Sequence, residues 1–281
     1  MKSYRATTIS LLIPSFSIFS LIFVAPLLYF FVVSFWRKKR FQLIPDATIS
    51  NYIQVFEEYT RPLWFTFGVA TIIGLVTTIL AFTFAYVIRF KPSRYSLHLL
   101  FIVLITLFGG YLTKIYVWKT ILGQTGILNT ALMMLNIIDE PIMMFLFNPI
   151  AVVITLAHYM LPLAVLPIYG ALRSIDDTSL RGALDLGASR FRVFWDIVLP
   201  QCQMGIMAAF TLTFLFAAGD WVTPKLVGGP YTSMIGTFIQ YQYGSRFNQP
   251  LGSALAFTVI AICLLILVTI ALVGKRILKP R

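Results

Sequence analysis

Residues 179–201 read SLRGALDLGASRFRVFWDIVLPQ, a charged and glycine-punctuated stretch set between two apolar runs. Asp176, Asp177 and Thr178, just before it, supply capping oxygens and negative charge for a helix start. Leu180, Ala183, Leu184 and Gly187 then recur at i, i+3, i+4 and i+7, which puts them on one helical face. Gly187 suits the left-handed conformation that ends a helix, and Ser189 is placed to cap a second one. That second helix is expected to turn Phe191, Phe194, Val198 and Leu199 toward lipid, with Pro200 leading into the next apolar run. A short helix, a hinge and an interfacial helix result. Such a unit either packs on the protein's own membrane face or offers a soluble partner something to grip.

Composition explains why lipid enters the argument. The 281 residues are 59% hydrophobic and only 11% charged, with a mean hydropathy of +0.86. A soluble domain carries about 25% charged residues. Several apolar runs reach the ~20 residues needed to cross a bilayer as helix, and they are continuous rather than alternating, which excludes a barrel. The expected fold is an all-α polytopic membrane protein, a single domain over 1–281. Its six transmembrane helices lie near 9–36, 63–88, 96–121, 149–172, 203–223 and 251–274. The stretch 176–200 is then the loop between the fourth and fifth. The first apolar run is too long for a cleavable signal and reads as an uncleaved span.

The net charge of +12 does not indicate nucleic acid, because the cations sit at span ends, where they anchor helices and face anionic lipid. With the N-terminus inside, thirteen Lys and Arg fall on the inner side against nine on the other. That favours cytoplasmic termini, although the run Arg37-Lys38-Lys39-Arg40 falls outside. The segment ISNYIQVFEEY is expected to form a short interfacial helix on which Asn51, Tyr52, Val55 and Phe56 lie flat.

Catalytic constellations are missing from the sequence. It contains no phosphate-binding G-x-x-x-x-G-K-[ST] loop and no zinc motif. His98 and His158 are far apart, His158 reading as a packed histidine, and Cys202 and Cys263 lack metal-ligand spacing. Asp220 is the conspicuous charge inside an apolar run. It is either a carboxylate on a solute path or a helix-end residue paired locally with Lys225, and the nearness of Pro224 suits the second. Trp221 and Tyr116 are the aromatic candidates for the same path, through cation–π contact.

ALDLGAS followed by FWDIVLP resembles the loop of permease subunits of bacterial ABC importers, written E-A-A, three residues, Gly, nine residues, I-x-L-P. Gly187 occupies the motif glycine and Ile197-Val198-Leu199-Pro200 its end, with the spacing intact. GDWVTPKLVGGP, GILN, LPLAVLPIYGALRSID and PLGSALAF are most similar to the spermidine/putrescine-type branch. The resemblance implies a bacterial inner-membrane permease without a cofactor of its own. Its implied partners are a second permease in a heterodimer, two ATPase subunits that bind ATP-Mg, and an extracytoplasmic substrate-binding protein. Carried over by position, the ATPase-coupling residues are Arg181, Gly182, Ala183, Asp185, Leu186, Gly187, Ala188, Leu199 and Pro200. The implied solute is a polyamine or another small organic solute, since opine, sugar-conjugate and phosphonate carriers belong to the same branch. One departure stands out. Arg181 occupies the place of the motif glutamate and Gly182 that of its first alanine, so we expect the partner permease to keep the acid. The competing class is a stand-alone channel or secondary transporter, in which the loop would be incidental.

Overall fold

A computed structural model describes residues 12–40, 42–91 and 94–277. Its described residues are overwhelmingly helical. The long helices are α1 (Leu12–Val33), α3 (Thr60–Phe90), α7 (Pro149–Arg173) and α12 (Gln249–Ile277), all long and apolar enough to cross a membrane. Two further apolar helix pairs are sharply bent. Ser96–Phe108 meets Tyr111–Met134 at 104°, and Arg190–Gln201 meets Gln203–Gly219 at 62°. Among the described residues there are thus four candidate spans, or up to six if each bent pair is one crossing. The expected third span over 96–121 is not one straight helix. Its helix α4 (Ser96–Ile105) runs through a 3-10 turn to Phe108, and Gly109 and Gly110 turn extended before α5 (Tyr111–Leu122) begins.

The Cα packing forms two compact units. Met1–Thr60 with Phe238–Ile260 makes the first. In α1, the π-helical turn Ser20–Val24 ends two residues before Pro26, and the Ala25 N–H reaches back to the Ser20 carbonyl. A wide turn of this kind accommodates a proline that lacks a donor and crowds the preceding turn. Apolar side chains along α1 remain bare in the isolated chain, Phe16 and Leu21 among them, as suits a helix bathed in lipid.

Below α1, Ser34 and Asn51 fasten the short helix α2 (Ser50–Glu58). Asn51 Nδ2 donates to the carbonyls of Ser34 and Trp36, both at 2.8 Å, and the Ser34 and Tyr52 hydroxyls share a 2.8 Å bond. The expected helix is present, but Asn51 and Tyr52 are turned inward and Val55 is fully buried, while Phe56 is exposed. Arg37–Lys39 (β1) pairs antiparallel with Gln42–Ile44 (β2), in the register Arg37↔Ile44. This small hairpin was unforeseen, because four consecutive cations read simply as the end of a span. The Lys38 ammonium donates to the Arg246 carbonyl and fastens the hairpin to its unit. On the same unit, Gln242 Nε2 donates to the buried Tyr59 hydroxyl at 2.9 Å.

The second unit comprises Arg61–Thr237 with Ala261–Arg281. Its most extensive helix pair is α7 against α10 (Gln203–Gly219). Gly205 permits that approach, since a Cβ there would fall 2.6 Å from the Pro167 carbonyl oxygen and 2.8 Å from Ala171 Cβ. Small residues at a helix crossing let backbones come close in a membrane, where packing rather than water expulsion drives association. Ala81, Ala85, Ala164, Val165, Ile168, Leu172 and Cys202 form the apolar core of this unit.

Candidate functional site

At one end of the second unit, α7 ends at Arg173 and the chain turns at once into α8 (Asp177–Asp185). Asp176 caps α8, its carboxylate accepting from the Thr178 and Ser179 N–H groups at 3.2 Å each. Those donors hold the Asp176 carboxyl below its ordinary value. The helix closes through paired backbone bonds, Ala188 N–H to Ala183 O at 3.0 Å and Gly187 N–H to Leu184 O at 2.9 Å. This is the Schellman arrangement, and Gly187 supplies its left-handed residue with φ +89°. Ser189 then caps α9 (Arg190–Gln201) by accepting from the Arg192 N–H at 3.3 Å.

One face of this hinge is docked and the other is bare. Leu180, Ala183 and Ala188 pack against the core that contains Ala85, Ile88, Leu172 and Ile175. Arg181, Gly182, Asp185, Leu186 and Gly187 are exposed, and Leu186 is 91% exposed at the tip. Leu184, placed by its period on the docked face, is also exposed. Leu199 and Pro200 are half-buried in α9 and belong to the stem, away from that tip. The lipid-facing expectation for α9 needs correction. Phe191 and Trp195 point outward, whereas Phe194 packs on Phe82 and Tyr86 and Val198 is buried. The cause is a long-range contact, since Phe82 and Tyr86 of α3 occupy the face that the period assigned to lipid.

Arg89, in the last turn of α3, is the residue that sequence reading missed here. Its Nη2 lies 2.6 Å from Asp177 Oδ1 and 3.2 Å from the Ile175 carbonyl, and its Nε donates to the Leu172 carbonyl at 3.3 Å. One guanidinium thus joins the ends of α3 and α7 to the start of α8.

A polar cluster lies elsewhere in the same unit. Asp220 ends α10 and is 7% exposed. Its Oδ1 accepts from the Tyr111 hydroxyl at 2.6 Å and from the Val222 N–H at 2.9 Å, while Tyr111 and Thr223 share a 2.9 Å bond. Its Oδ2 is buried with no hydrogen-bond partner among the described residues. Local pairing with Lys225 is not what the structure has, since Lys225 lies over the Trp221 ring, 5.6 Å from its centroid. Trp221, next to Asp220 in the chain, is exposed, and Tyr116 is exposed under Lys119. Of the three path candidates, Asp220 alone enters the cluster. Tyr111 packs on Tyr159 with centroids 4.8 Å apart, and Lys114 Nζ lies 5.0 Å from the Tyr159 centroid. His158 makes an edge contact with Trp118.

With this geometry in hand, residues 80–281 match the family described as binding-protein-dependent transport system inner membrane component. The chain belongs to this family. It is therefore a multi-pass inner-membrane transport permease of an ATP-driven importer rather than an enzyme. Relatives of this permease include the spermidine/putrescine transport system permease protein PotB of Haemophilus influenzae, 33% identical over 210 residues, covering 74% of this chain and 73% of the relative. PotB of Escherichia coli is 33% identical over 221 residues, covering 76% and 80%. The permease fold is shared with a chain of a bacterial ABC transporter that imports the acidic polysaccharide alginate. That match has a TM-score of 0.77 at 16% identity, covering 99% of this chain and 98% of the other.

Proposed function

We propose that this permease crosses the membrane six times, forms half of a solute path with a second permease, and receives its stroke through α8. On this reading each bent helix pair is one crossing, the chain acts as a single domain, and both termini and α8 lie on the cytoplasmic side. Two ATPase subunits bind and hydrolyse ATP-Mg, and a substrate-binding protein delivers solute from outside. The relatives named for spermidine and putrescine support a small amine-bearing organic solute.

The observation that carries the reading is the docked-and-bare division of α8. A nine-residue helix has no independent stability in water, yet this one is capped at both ends and tied by Arg89 to α3 and α7. Its outer surface, Arg181, Gly182, Asp185, Leu186 and Gly187, is left free for a partner, with Ala183 and Ala188 as its backing and Leu199 and Pro200 in the stem. Movement of a body gripping that surface passes directly into two long helices.

The test is site-directed crosslinking in the assembled transporter. A cysteine at Leu186 should crosslink to a co-purifying subunit that carries a phosphate-binding loop, with a yield that changes on ATP binding. A cysteine at Phe56 should not. Failure of Leu186 to crosslink to any ATPase would refute the coupling role.

A further inference from the structure

The cluster around Tyr111 and Tyr159 holds two charged groups of opposite sign that the described residues leave unanswered. Asp220 Oδ2 is buried and unpartnered, and so is Lys114 Nζ, although the rest of the lysine side chain is half-exposed. Neither is paired with the other. Asp220 Oδ1 accepts from Tyr111 and Val222, and the lysine rests on the face of Tyr159. Tyr111 and Lys114 are three residues apart on α5 and so share a face, and the ring of Tyr159 touches both side chains. An anion and a cation therefore flank one aromatic pair, each with free bonding capacity.

Burying a charge without a counter-charge is costly. Cation–π contact offsets only part of this for the ammonium; the Asp220 carboxylate is answered at Oδ1 alone, no described residue bonding Oδ2. We infer that these two groups are the ends of a solute site for an amphoteric molecule, one that carries an ammonium group and an acidic group a few carbons apart. The solute's ammonium binds Asp220 Oδ2, and its acidic group binds Lys114 Nζ. The Tyr111 hydroxyl is a positioning group, since its bond to Oδ1 fixes which oxygen is left to the solute. A simple diamine satisfies the aspartate but meets the lysine as a like charge. The site thereby selects against pure cations even though its carboxylate attracts them.

This inference rests on the chain being an importer permease with Asp220 on its path. The experiment uses the whole transporter purified from its own genes, with equilibrium binding of γ-aminobutyrate, 2-aminoethylphosphonate and putrescine measured at millimolar concentrations. At least one amphoteric probe should bind about tenfold or more tighter than putrescine, the range expected when a buried charge gains or loses its partner. Lys114→Gln and Asp220→Asn should each remove that preference, while Lys114→Arg retains it. Size-exclusion chromatography of every variant checks assembly. Equal or tighter putrescine binding, no binding of any probe, or an unchanged preference in Lys114→Gln overturns the site. So does loss of assembly in both neutral variants, which would assign the charges to the contact with the second permease. Absence of a co-purifying ATPase refutes the importer reading itself. Its presence together with a putrescine preference refutes only the amphoteric site.

Discussion

Arg89 Nη2 and Asp177 Oδ1 lie 2.6 Å apart, joining the last turn of α3 to the first turn of α8. The aspartate is more than half exposed, so the ion pair by itself contributes little. The same guanidinium also bonds one carbonyl in the last turn of α7 and one in the link to α8, and these bonds orient α8 as much as they hold it.

Arg89→Ala should therefore loosen α8 without unfolding the bundle. Hydrogen bonds from a charged donor contribute about 1.5–3 kcal/mol, so amide exchange over Asp177–Leu186 should accelerate about tenfold or more. Solute-stimulated ATP hydrolysis should fall more than the basal rate. Unchanged exchange in this segment would count against the tie.

Gly187→Ala places a Cβ in open space but forces an L-residue to φ +89°. The cost is backbone strain, about 1–2 kcal/mol, and Gly187→Asn should be milder because asparagine visits that region more readily. Hydrogen exchange at residues 187 and 188 should rise in the order Gly, Asn, Ala, and the rate of coupled transport should fall in that order. A Gly187→Ala transporter with wild-type coupling would show that the hinge tolerates other geometries.

The Asp176 cap has a pH dependence of definite sign. Its carboxyl is held below the usual value by the Thr178 and Ser179 donors, so the folded state favours the charged form. That stabilisation is complete above the ordinary carboxylate value of 3.8 and is lost as pH falls through the lowered one. Asp176→Asn keeps an oxygen acceptor but removes the titration. Its α8 exchange rates, measured against wild type from neutral pH downward, should lose the acid-dependent rise assigned to this cap.

Gly205→Leu attacks the α7–α10 crossing. Any Cβ is already too close to Pro167 O and Ala171 Cβ, and a leucine needs the helices to separate. Overpacking of this kind costs about 1–3 kcal/mol. Less intact transporter should be recovered in detergent, and its melting temperature should fall. Gly68→Ala has open space at its Cβ and is the matched control.

Arg181→Glu restores the acid of the motif at an exposed position. Folding stability should change by no more than about 0.5 kcal/mol, and because the partner permease is expected to keep the motif acid, solute-stimulated ATP hydrolysis should remain within about twofold, about 0.4 kcal/mol. Abolished stimulation would show that the partner ATPase is matched to the arginine.

Local chemistry was readable in the sequence and long-range pairing was not. Asp176, Gly187 and Ser189 act where capping rules place them, because each acts on neighbours within five residues. Asp220 lies 109 residues from Tyr111, and no periodicity encodes that meeting. A possible signal was the pair Tyr111 and Lys114 at i, i+3 directly after Gly109-Gly110, two polar groups on one face of an apolar segment. Hydropathy found the apolar mass of 96–121 but carries no direction, so the 104° bend escaped it. The inward turn of Phe194 escaped as well, since its partners Phe82 and Tyr86 are far off in the sequence.

The two continuous helices held by Arg89 differ in kind from the two bent ones. α3 runs 31 residues without a break, a rod of about 46 Å at 1.5 Å per residue. α4 and α5 meet at Gly109-Gly110, and α9 and α10 meet at Cys202. If α8 takes the proposed stroke, α3 receives it as one unbroken rod, while the jointed helices offer two places to bend. The subunit thus sets a rigid strut against two elbows, and the positions of Gly109-Gly110 and Cys202 along the chain fix where it can flex.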